Sequence, residues 1–326
     1  MATIYDVARR AGVSTFTVSA VLNQSARVSP ELTQRVLRAA RKLDYTISFV
    51  ARSLQTRRTM TVGMLIPDIG NPWFAKVVRG VEDVCRQRQY SVFIGNTYDQ
   101  PEIQERYLTV FRSRRVDGML VFLAPGSEQQ LAPVVKKGPP VVFVGRRPRS
   151  FAADSVSANN RLGTRLAVEH LISRGHRRIA IITGPLSLSA GRDRVTGWRE
   201  GLKRAGLPAP LAYRREADWT AESARRHTHE LLSLPEPPTA IFAANFLMMT
   251  GVLAALRERG LRVPDQVEVM SSDDSEWLDV FEPRISVVLQ PSYEMGETAA
   301  RLLLERIENP EAPPRRVLLK PSLKLR

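Results

Sequence analysis

Through the first 45 residues, apolar positions recur every three or four residues, and this spacing predicts amphipathic helices. The first helix is predicted to open at Thr3 and Asp6, which have the spacing of a capping box. Gly12 can take the positive φ that ends a helix and turns the chain. A second short helix is predicted directly after this turn, with Ser14 or Thr15 as its cap.

A third helix is predicted at Ser29-Pro30-Glu31, which combines an N-cap, a proline at the first helical position and an acid at the positive end of the helix dipole. Two short helices joined by a tight glycine turn and supported by a third predict a helix-turn-helix domain over residues 1–45. In such domains the second helix enters the DNA major groove, where short hydroxyl side chains reach phosphates and base edges. The alternative is a small helical bundle in which these Ser and Thr residues are only caps.

From residue 60 onward the pattern changes to short β-rich runs separated by amphipathic stretches of helical length. The predicted strands are 61–67, 91–96, 118–123, 141–145, 178–184, 239–244, 267–272 and 285–290, and the predicted helices lie near 73–89, 101–115, 160–174, 191–205, 220–233, 247–259 and 292–308. This alternation predicts an α/β protein with parallel sheets and helices on both faces. Because these strands are too many for one compact sheet, we expect two lobes within residues 60–326.

The distribution of charge indicates which class of partner the N-terminal part of the chain binds. The 326 residues carry a formal net charge of +15, which favours a polyanionic partner such as nucleic acid or an acidic membrane. Residues 1–58 hold ten basic and three acidic side chains, so the excess is densest there. The chain has neither an apolar run of about 18 residues nor a signal-peptide pattern, and Cys85 has no second cysteine to pair with. We therefore expect a cytoplasmic protein with no membrane partner.

The sequence shows no constellation of catalytic side chains. None of His170, His176, His227 and His229 has a carboxylate or cysteine at the spacing of a metal or nucleophile site. The phosphate-binding patterns GxxxxGK[ST] and GxGxxG do not occur. We expect a protein that is not an enzyme and that holds no metal and no cofactor.

A series of motifs at the front of the chain resembles one known family. They are Asp6-Val7-Ala8, Ala11-Gly12-Val13-Ser14, Thr17-Val18-Ser19, Val21-Leu22-Asn23, Ser29-Pro30, Tyr45 and Ala51-Arg52-Ser53-Leu54. Their order and spacing resemble the headpiece of the lac repressor (LacI/GalR) family. The resemblance implies that residues 1–45 are a DNA-binding headpiece, that residues 46–59 form a hinge helix and linker, and that residues 60–326 are a core that binds an effector and dimerises.

The resemblance also implies roles for single residues. Phosphates would be held mainly by Tyr5, Ser14, Thr17, Ser19, Asn23 and Tyr45, whereas Thr15, Phe16, Ala20 and Arg27 would face bases or the groove edge. Ala51, Arg52, Ser53 and Leu54 would form the hinge helix, and Leu54 would wedge into a minor-groove base step and kink the DNA.

The headpiece and hinge depart from the family pattern at two places. The family usually has a long or polar side chain where this chain has Ala20, which offers only a methyl contact. We expect base recognition to shift toward Thr15, Phe16 and Arg27. Ile47-Ser48 stands where the family commonly has Pro-Asn, so the hinge loses a stiffening proline, although Ser48 can still cap a helix.

The rest of the chain resembles the two-lobed periplasmic-binding-protein fold of the same family. The motifs are Asn71-Pro72-Trp73-Phe74, Gly175-His176-Arg177-Arg178, Gly184-Pro185, Arg194 with Gly197, and Asp273-Asp274. Ligands in such folds bind between the lobes, at the carboxyl ends of the strands. This geometry implies an effector site formed by Asn71, Trp73, Phe74, Arg194, Trp219, Asn245, Phe246 and Asp273.

The residue types in this set suggest a class of ligand. A tryptophan face beside arginine and aspartate suits a sugar or a nucleobase. Phe246 stands where the family often has aspartate or another polar residue, so we expect Phe246 to set the class of effector. The alternatives are plain core packing for Trp73 and Phe74, and a salt bridge between the lobes for Arg194 and Asp273.

Together these observations predict a sequence-specific DNA-binding transcriptional regulator, and more narrowly a repressor. Its partners would be double-stranded DNA with a pseudo-palindromic operator, a small-molecule effector, and a second copy of the chain in a homodimer. Two other classes remain open. One is a small-molecule carrier with a vestigial headpiece, and the other is an architectural protein that binds DNA without sequence preference.

Overall fold

The computed structural model describes residues 2–23, 26–45 and 58–326, without the side chain of Asn23. The chain divides into two compact units, Met1–Thr59 and Met60–Arg326, which are described separately below. The predicted hinge residues Arg52, Ser53 and Leu54 lie outside the described residues, so their roles stay predictions.

The described residues of the first unit form three helices, α1 (Ile4–Ala11), α2 (Thr15–Asn23) and α3 (Pro30–Lys42). The predicted capping box is present, because the Asp6 amide donates to the Thr3 hydroxyl and the Thr3 amide donates to the Asp6 carboxylate. Gly12 ends α1 at a φ of 63°, and the Ser14 hydroxyl accepts from the Thr17 amide at the start of α2. The core consists of Val7, Ala8, Ala11, Val18, Val21, Val36, Ala39 and Ala40.

The second unit contains two six-stranded sheets. The strands are β1 (Thr61–Ile66), β2 (Ser91–Asn96), β3 (Gly118–Val121), β4 (Val141–Val144), β5 (Asp154–Ala158), β6 (Ile179–Thr183), β7 (Arg214–Glu216), β8 (Ala240–Ala243), β9 (Glu268–Ser272), β10 (Ser286–Leu289), β11 (Arg316–Leu319) and β12 (Ser322–Lys324). The sheet orders are β11-β5-β4-β3-β1-β2 and β12-β10-β9-β8-β6-β7. All strand pairs are parallel except β10 with β12, which confirms the predicted α/β class.

Helices cover both faces of each sheet. They are α4 (Pro72–Gln87), α5 (Pro101–Ser113), α6 (Glu128–Lys137), α7 (Asn160–Ser173), α8 (Ser189–Arg204), α9 (Ala221–Leu232), α10 (Phe246–Glu258) and α11 (Ser292–Glu308). In the first lobe, α4 and α11 bury one face of the sheet, and α5 and α6 bury the other. In the second lobe, α7 with α8 and α9 with α10 form two packed pairs.

The hydrophobic pattern did not predict four of the strands and one of the helices. β5 is buried along its whole length, but its sequence is DSVSA, so it shows no apolar run. β7, β11 and β12 are only three or four residues long, and α6 contains Pro133. These elements are held by long-range pairing, which a local pattern does not register.

The chain passes between the lobes at three places: from β5 to α7, from β10 to α11, and from β11 to β12. The lobes also touch directly beside these crossings. The guanidinium of Arg147 donates to Asp193 at 2.8 and 3.2 Å, and the Arg147 amide donates to the Ser189 hydroxyl at 2.9 Å. On another side of the gap, Lys76 Nζ donates to the Asp274 carbonyl at 3.3 Å.

Candidate functional site

Most of the residues predicted to contact DNA lie on the surface of the first unit. Tyr5 and Phe16 are 69% and 76% exposed, an unusual placement for large aromatic side chains. The side chains of Ser14 and Arg27 are exposed, and those of Thr15, Thr17, Ser19 and Tyr45 are half-buried. Tyr45 packs partly against the helical core. The N-terminal part of α2 therefore presents an aromatic ring and several hydroxyls to solvent.

Ala20 does not take the predicted place. Ala20 and Phe16 are four residues apart and share a face of α2, yet the Ala20 side chain is 2% exposed. The structure therefore covers this methyl group, against the expectation that it faces a base. Phe16 is an exposed side chain on this face of α2.

Phe16→Ala is expected to weaken binding to a preferred operator by about 5- to 150-fold, because loss of one base contact costs about 1–3 kcal/mol. Binding to random duplex DNA should change little. Phe16 is not part of the helical core, so the headpiece should stay folded. Gel-shift titrations on both duplexes measure this, with Leu37→Ala on α3 (39% exposed) as the matched control. Equal losses on both duplexes would show that Phe16 does not read sequence.

In the second unit, a cleft of about 340 Å³ opens between the lobes at the carboxyl ends of both sheets. Seven of the eight predicted effector residues line it: Asn71, Trp73, Phe74, Arg194, Trp219, Asn245 and Asp273. The first three come from the first lobe and the others from the second lobe. The structure thus brings together residues that are up to about 200 positions apart in the sequence.

One wall of the cleft is aromatic. The rings of Trp73, Phe74 and Phe122 are mutually edge-to-face, with centroid distances of 4.9, 5.9 and 5.1 Å. Such contacts fix the orientation of each ring. Trp73 and Phe74 therefore fit both interpretations, core packing and effector binding, because they pack against one another and also line the cleft.

Two asparagines hold the helices that border the cleft. Asn71 caps α4 by accepting from the Trp73 amide at 3.0 Å, and Asn245 caps α10 by accepting from the Met248 amide at 2.7 Å. The Asn245 side-chain amide also donates to the Trp219 carbonyl at 3.2 Å. Their oxygens are thus occupied by backbone groups, and their first role is to position neighbouring residues.

Trp219 lies near two arginines that come from different lobes. The guanidinium carbons of Arg146 and Arg194 lie 5.4 and 5.6 Å from the centre of the indole ring. Trp219 takes a φ of 72°, and its ring rests on Gly184, where an added Cβ would lie 2.1 Å from a ring carbon. Only glycine at position 184 lets the indole lie so close to the backbone.

Arg194 and Asp273 are both buried, at 5% and 4% exposure. Burial lowers the pKa of Arg194 to about 10 and raises the pKa of Asp273 to about 6. Asp273 accepts from Gln290 Nε2 at 2.6 Å and from the Phe246 amide. Arg194 makes two long hydrogen bonds of 3.4 Å, to the Ser272 hydroxyl and the Ala190 carbonyl. The alternative of a salt bridge between the lobes does not hold for this pair, because both residues belong to the second lobe.

Comparisons with known proteins give the family. Residues 3–48 match the family described as bacterial regulatory proteins, lacI family, and residues 168–326 match the periplasmic binding protein-like domain. The ribose operon repressor of Escherichia coli (strain K12) is 39% identical over 325 residues, covering 99% of this chain and 98% of that protein. The chain belongs to the lacI family.

Two solved structures of similar proteins extend this relation to three dimensions. The lac repressor dimer bound to operator and the anti-inducer ONPF has a TM-score of 0.87 at 30% identity, covering 100% of this chain and 98% of that chain. The complex of the transcriptional regulator CelR with cellobiose has a TM-score of 0.72 at 34% identity, covering 100% and 99%.

In this lacI-family chain, sequence reasoning missed Arg146 and Asp99. Arg146 is 7% exposed and forms a bidentate ion pair with Asp99, and it also donates to the Leu123 carbonyl at 2.9 Å. Gln290 and Leu247 also line the cleft. A signal was present, because Arg146, Asp99 and Gln290 each follow closely on the carboxyl end of a strand, as the recognised residues do.

The expectation for Phe246 is wrong. Phe246 does not line the cleft, and its half-buried ring packs against the hydrophobic core of the second lobe, while Leu247 faces the cleft. Both residues open α10, and successive side chains on a helix point about 100° apart. Phe246 reaches the site only through its backbone amide, which donates to Asp273.

Asp273→Asn is expected to change how stability depends on pH. Because the pKa of Asp273 is about 6 in the folded chain and near 3.8 when unfolded, the folded state binds more protons between these values. Asp273 therefore lowers stability as pH rises from 4 to 6, by about 2–3 kcal/mol in full.

Urea unfolding at several pH values measures this effect. All four tryptophans lie in residues 60–326, so their fluorescence reports on that unit. The stability of Asp273→Asn relative to the parent should rise from pH 4 to pH 6 and stay constant above. Glu276→Gln, in the short 3-10 helix Glu276–Asp279 that follows β9, is the control. A constant difference across this range would contradict the raised pKa.

The described residues show neither a metal site nor a membrane-spanning helix. They contain no group of three or more His, Cys, Asp or Glu side chains arranged to hold a metal ion. Among these same residues there is no helix with the length and apolar character needed to cross a membrane.

Proposed function

We propose that this protein is a transcriptional repressor that binds an operator through its headpiece and is controlled by a small molecule in the cleft between its lobes. One observation supports this proposal most strongly. The same chain contains an exposed helix-turn-helix surface and a cleft with the buried arginine Arg194. This activity consists of binding alone, without a chemical step, and it takes place in the cytoplasm with the chromosome.

The basic surface of the headpiece supports the DNA-binding part of the proposal. Its described basic side chains, Arg9, Arg10, Arg27, Arg35, Arg38, Arg41 and Lys42, are all exposed. The similar lac repressor has been solved as a dimer on its operator. We infer that this chain also acts as a homodimer, with two headpieces on a pseudo-palindromic site.

The cleft supports the regulatory part. It offers a sugar-like or nucleobase-like effector an aromatic wall beside charged groups, and a similar regulator was solved with cellobiose. Control requires an effector that binds one arrangement of the lobes more tightly than another. Arg147 and Asp193 are the sequence neighbours of the cleft residues Arg146 and Arg194. A shift of either cleft arginine would therefore move the Arg147–Asp193 ion pair that joins the lobes.

Footprinting on the DNA next to the chain's own gene tests the proposal. A repressor should protect a discrete pseudo-palindrome, and a screen of sugars and nucleosides should contain a compound that stabilises the protein and alters the protection. A saturating effector at 100 times its Kd stabilises the folded state by about 2.7 kcal/mol. A carrier would bind the compound without any footprint, and an architectural protein would protect DNA without sequence preference.

A further inference from the structure

The indole nitrogens of Trp73 and Trp219 are wholly buried and have no hydrogen-bond partner among the described residues. Both rings line the cleft, but protein atoms cover their nitrogens, so a ligand in the cleft does not reach these two donors. A donor that a ligand can use must therefore come from another side chain of the cleft.

Arg194 supplies donors and a positive charge at the cleft. Its guanidinium is almost fully buried and forms no ion pair with a carboxylate of the described residues. Its two hydrogen bonds are 3.4 Å long, and its Nη2 makes none within the described part of the chain. An arginine in this state is a strong site for a carboxylate or a phosphate, because both match its planar fork of donors.

The carboxylates that line the cleft have other partners. Asp99 is engaged by Arg146, Asp273 by Gln290, Asp218 by Thr220, and Asp68 by the Gly70 amide. Of these, Asp273 is the main source of negative potential at Arg194, but it does not reach ion-pairing distance. The guanidinium of Arg194 therefore keeps unused donor capacity toward the cleft.

A second arginine faces Arg194 from the other lobe. Arg146 follows β4 of the first lobe, and Arg194 lies on α8 of the second lobe. Both lie near the ring of Trp219, and their mutual repulsion contributes to the lowered pKa of Arg194. Closing the lobes thus brings like charges toward each other in a poorly solvated space.

We propose that the effector carries an acidic group, a carboxylate or a phosphate, which binds between Arg194 and Arg146. The body of the effector packs on the aromatic wall of Trp73, Phe74 and Phe122. This inference rests on the proposed function, because it names the chemical class of the effector.

The acidic group gives the effector its control over the lobes. An anion between the two arginines offsets their repulsion, and this gain exists only when both lobes approach it. The anion therefore binds the closed arrangement more tightly than an open one, which is the difference in affinity that ligand control requires.

Inorganic phosphate is the first probe. Thermal unfolding of the full chain is followed by tryptophan fluorescence while phosphate replaces chloride at constant ionic strength. The parent should show a saturable rise in Tm, and Arg194→Gln should shift the half-saturating concentration at least tenfold upward. Arg301→Gln, which removes an exposed arginine from α11, should behave as the parent does. A linear response, or an equal response of the parent and Arg194→Gln, overturns the proposal.

Asp99→Asn provides a test of opposite sign. This substitution removes the negative charge that occupies Arg146, so phosphate should bind several-fold more tightly than to the parent. A site built for a neutral ligand would gain nothing from the change. Weaker or unchanged phosphate binding by a folded Asp99→Asn variant contradicts the role of Arg146.

Matched ligands then separate the two kinds of acid. Calorimetry compares ribose with ribose 5-phosphate and with ribonate, the sugar acid of the same length. At least one of the two acids should bind ten times or more tightly than ribose, and whichever is tighter identifies a phosphate or a carboxylate. Ribose that binds as tightly as both acids overturns the proposal. Operator binding is measured separately for the parent and for Arg194→Gln. Absence of operator binding in both proteins would refute the proposed repressor. Intact operator binding without a preference for the acids refutes only the acidic effector.

Discussion

The affinity of this protein for duplex DNA is expected to fall by about a thousandfold or more when the salt concentration rises from about 50 mM to about 200 mM. Each phosphate that a basic side chain neutralises releases a bound counterion, and each adds about 0.9 to the slope of log affinity against log salt. Residues 1–58 carry ten basic and three acidic side chains, and a dimer presents two such segments. We therefore expect a slope steeper than about −5.

Fluorescence anisotropy with a labelled duplex at several salt concentrations measures this slope. Arg41→Gln and Lys42→Gln, in the last turn of α3, test whether that end of the helix contributes to it. The exposed arginine of the second unit, Arg301, supplies the control, and Arg301→Gln should leave the slope unchanged. A flat titration of the parent would refute DNA binding by the headpiece.

Arg306→Ala is expected to destabilise residues 60–326 by about 3–5 kcal/mol, because it leaves the buried carboxylate of Asp154 without its counter-charge. Arg306 Nε and Nη2 donate to Asp154 at 2.7 and 3.1 Å, and the two side chains are 10% and 3% exposed. Arg306 also donates to the carbonyls of Pro310 and Pro313. The substitution thus removes the contacts that connect α11 to the start of β5 and to the loop before β11.

Arg301→Ala on the same helix is the matched control. Arg301 pairs with Glu297 at 3.4 Å and its side chain is 60% exposed, so its loss should cost no more than about 1 kcal/mol. Urea unfolding followed by tryptophan fluorescence compares the two variants with the parent. Similar losses for Arg301→Ala and Arg306→Ala would mean that the buried pair adds nothing beyond a surface pair.

Local chemistry made much of this protein predictable from its sequence. Helix caps act within three or four residues, so the signals at Thr3, Gly12 and Ser29 marked helix ends that the structure contains. Strands buried on both faces appear as apolar runs, so the cores of both sheets were found, with ends that differ by a residue or two. Polar residues just after such runs, including Asn71, Asn245 and Asp273, were found at the cleft for the same reason.

Tertiary contacts decided what the local pattern could not. Arg146 and Asp99 are 47 residues apart, and their pairing depends on how β4 and β2 are arranged in one sheet. The choice between Phe246 and Leu247 depends on how α10 is rotated against its sheet, because one step along a helix turns the side chain by about 100°. The sequence by itself determined the family pattern, most of the secondary structure and seven of the residues that line the cleft. The rotation of each helix and the pairing of distant charges were set only by packing, because these depend on residues that are close in space and far apart along the chain.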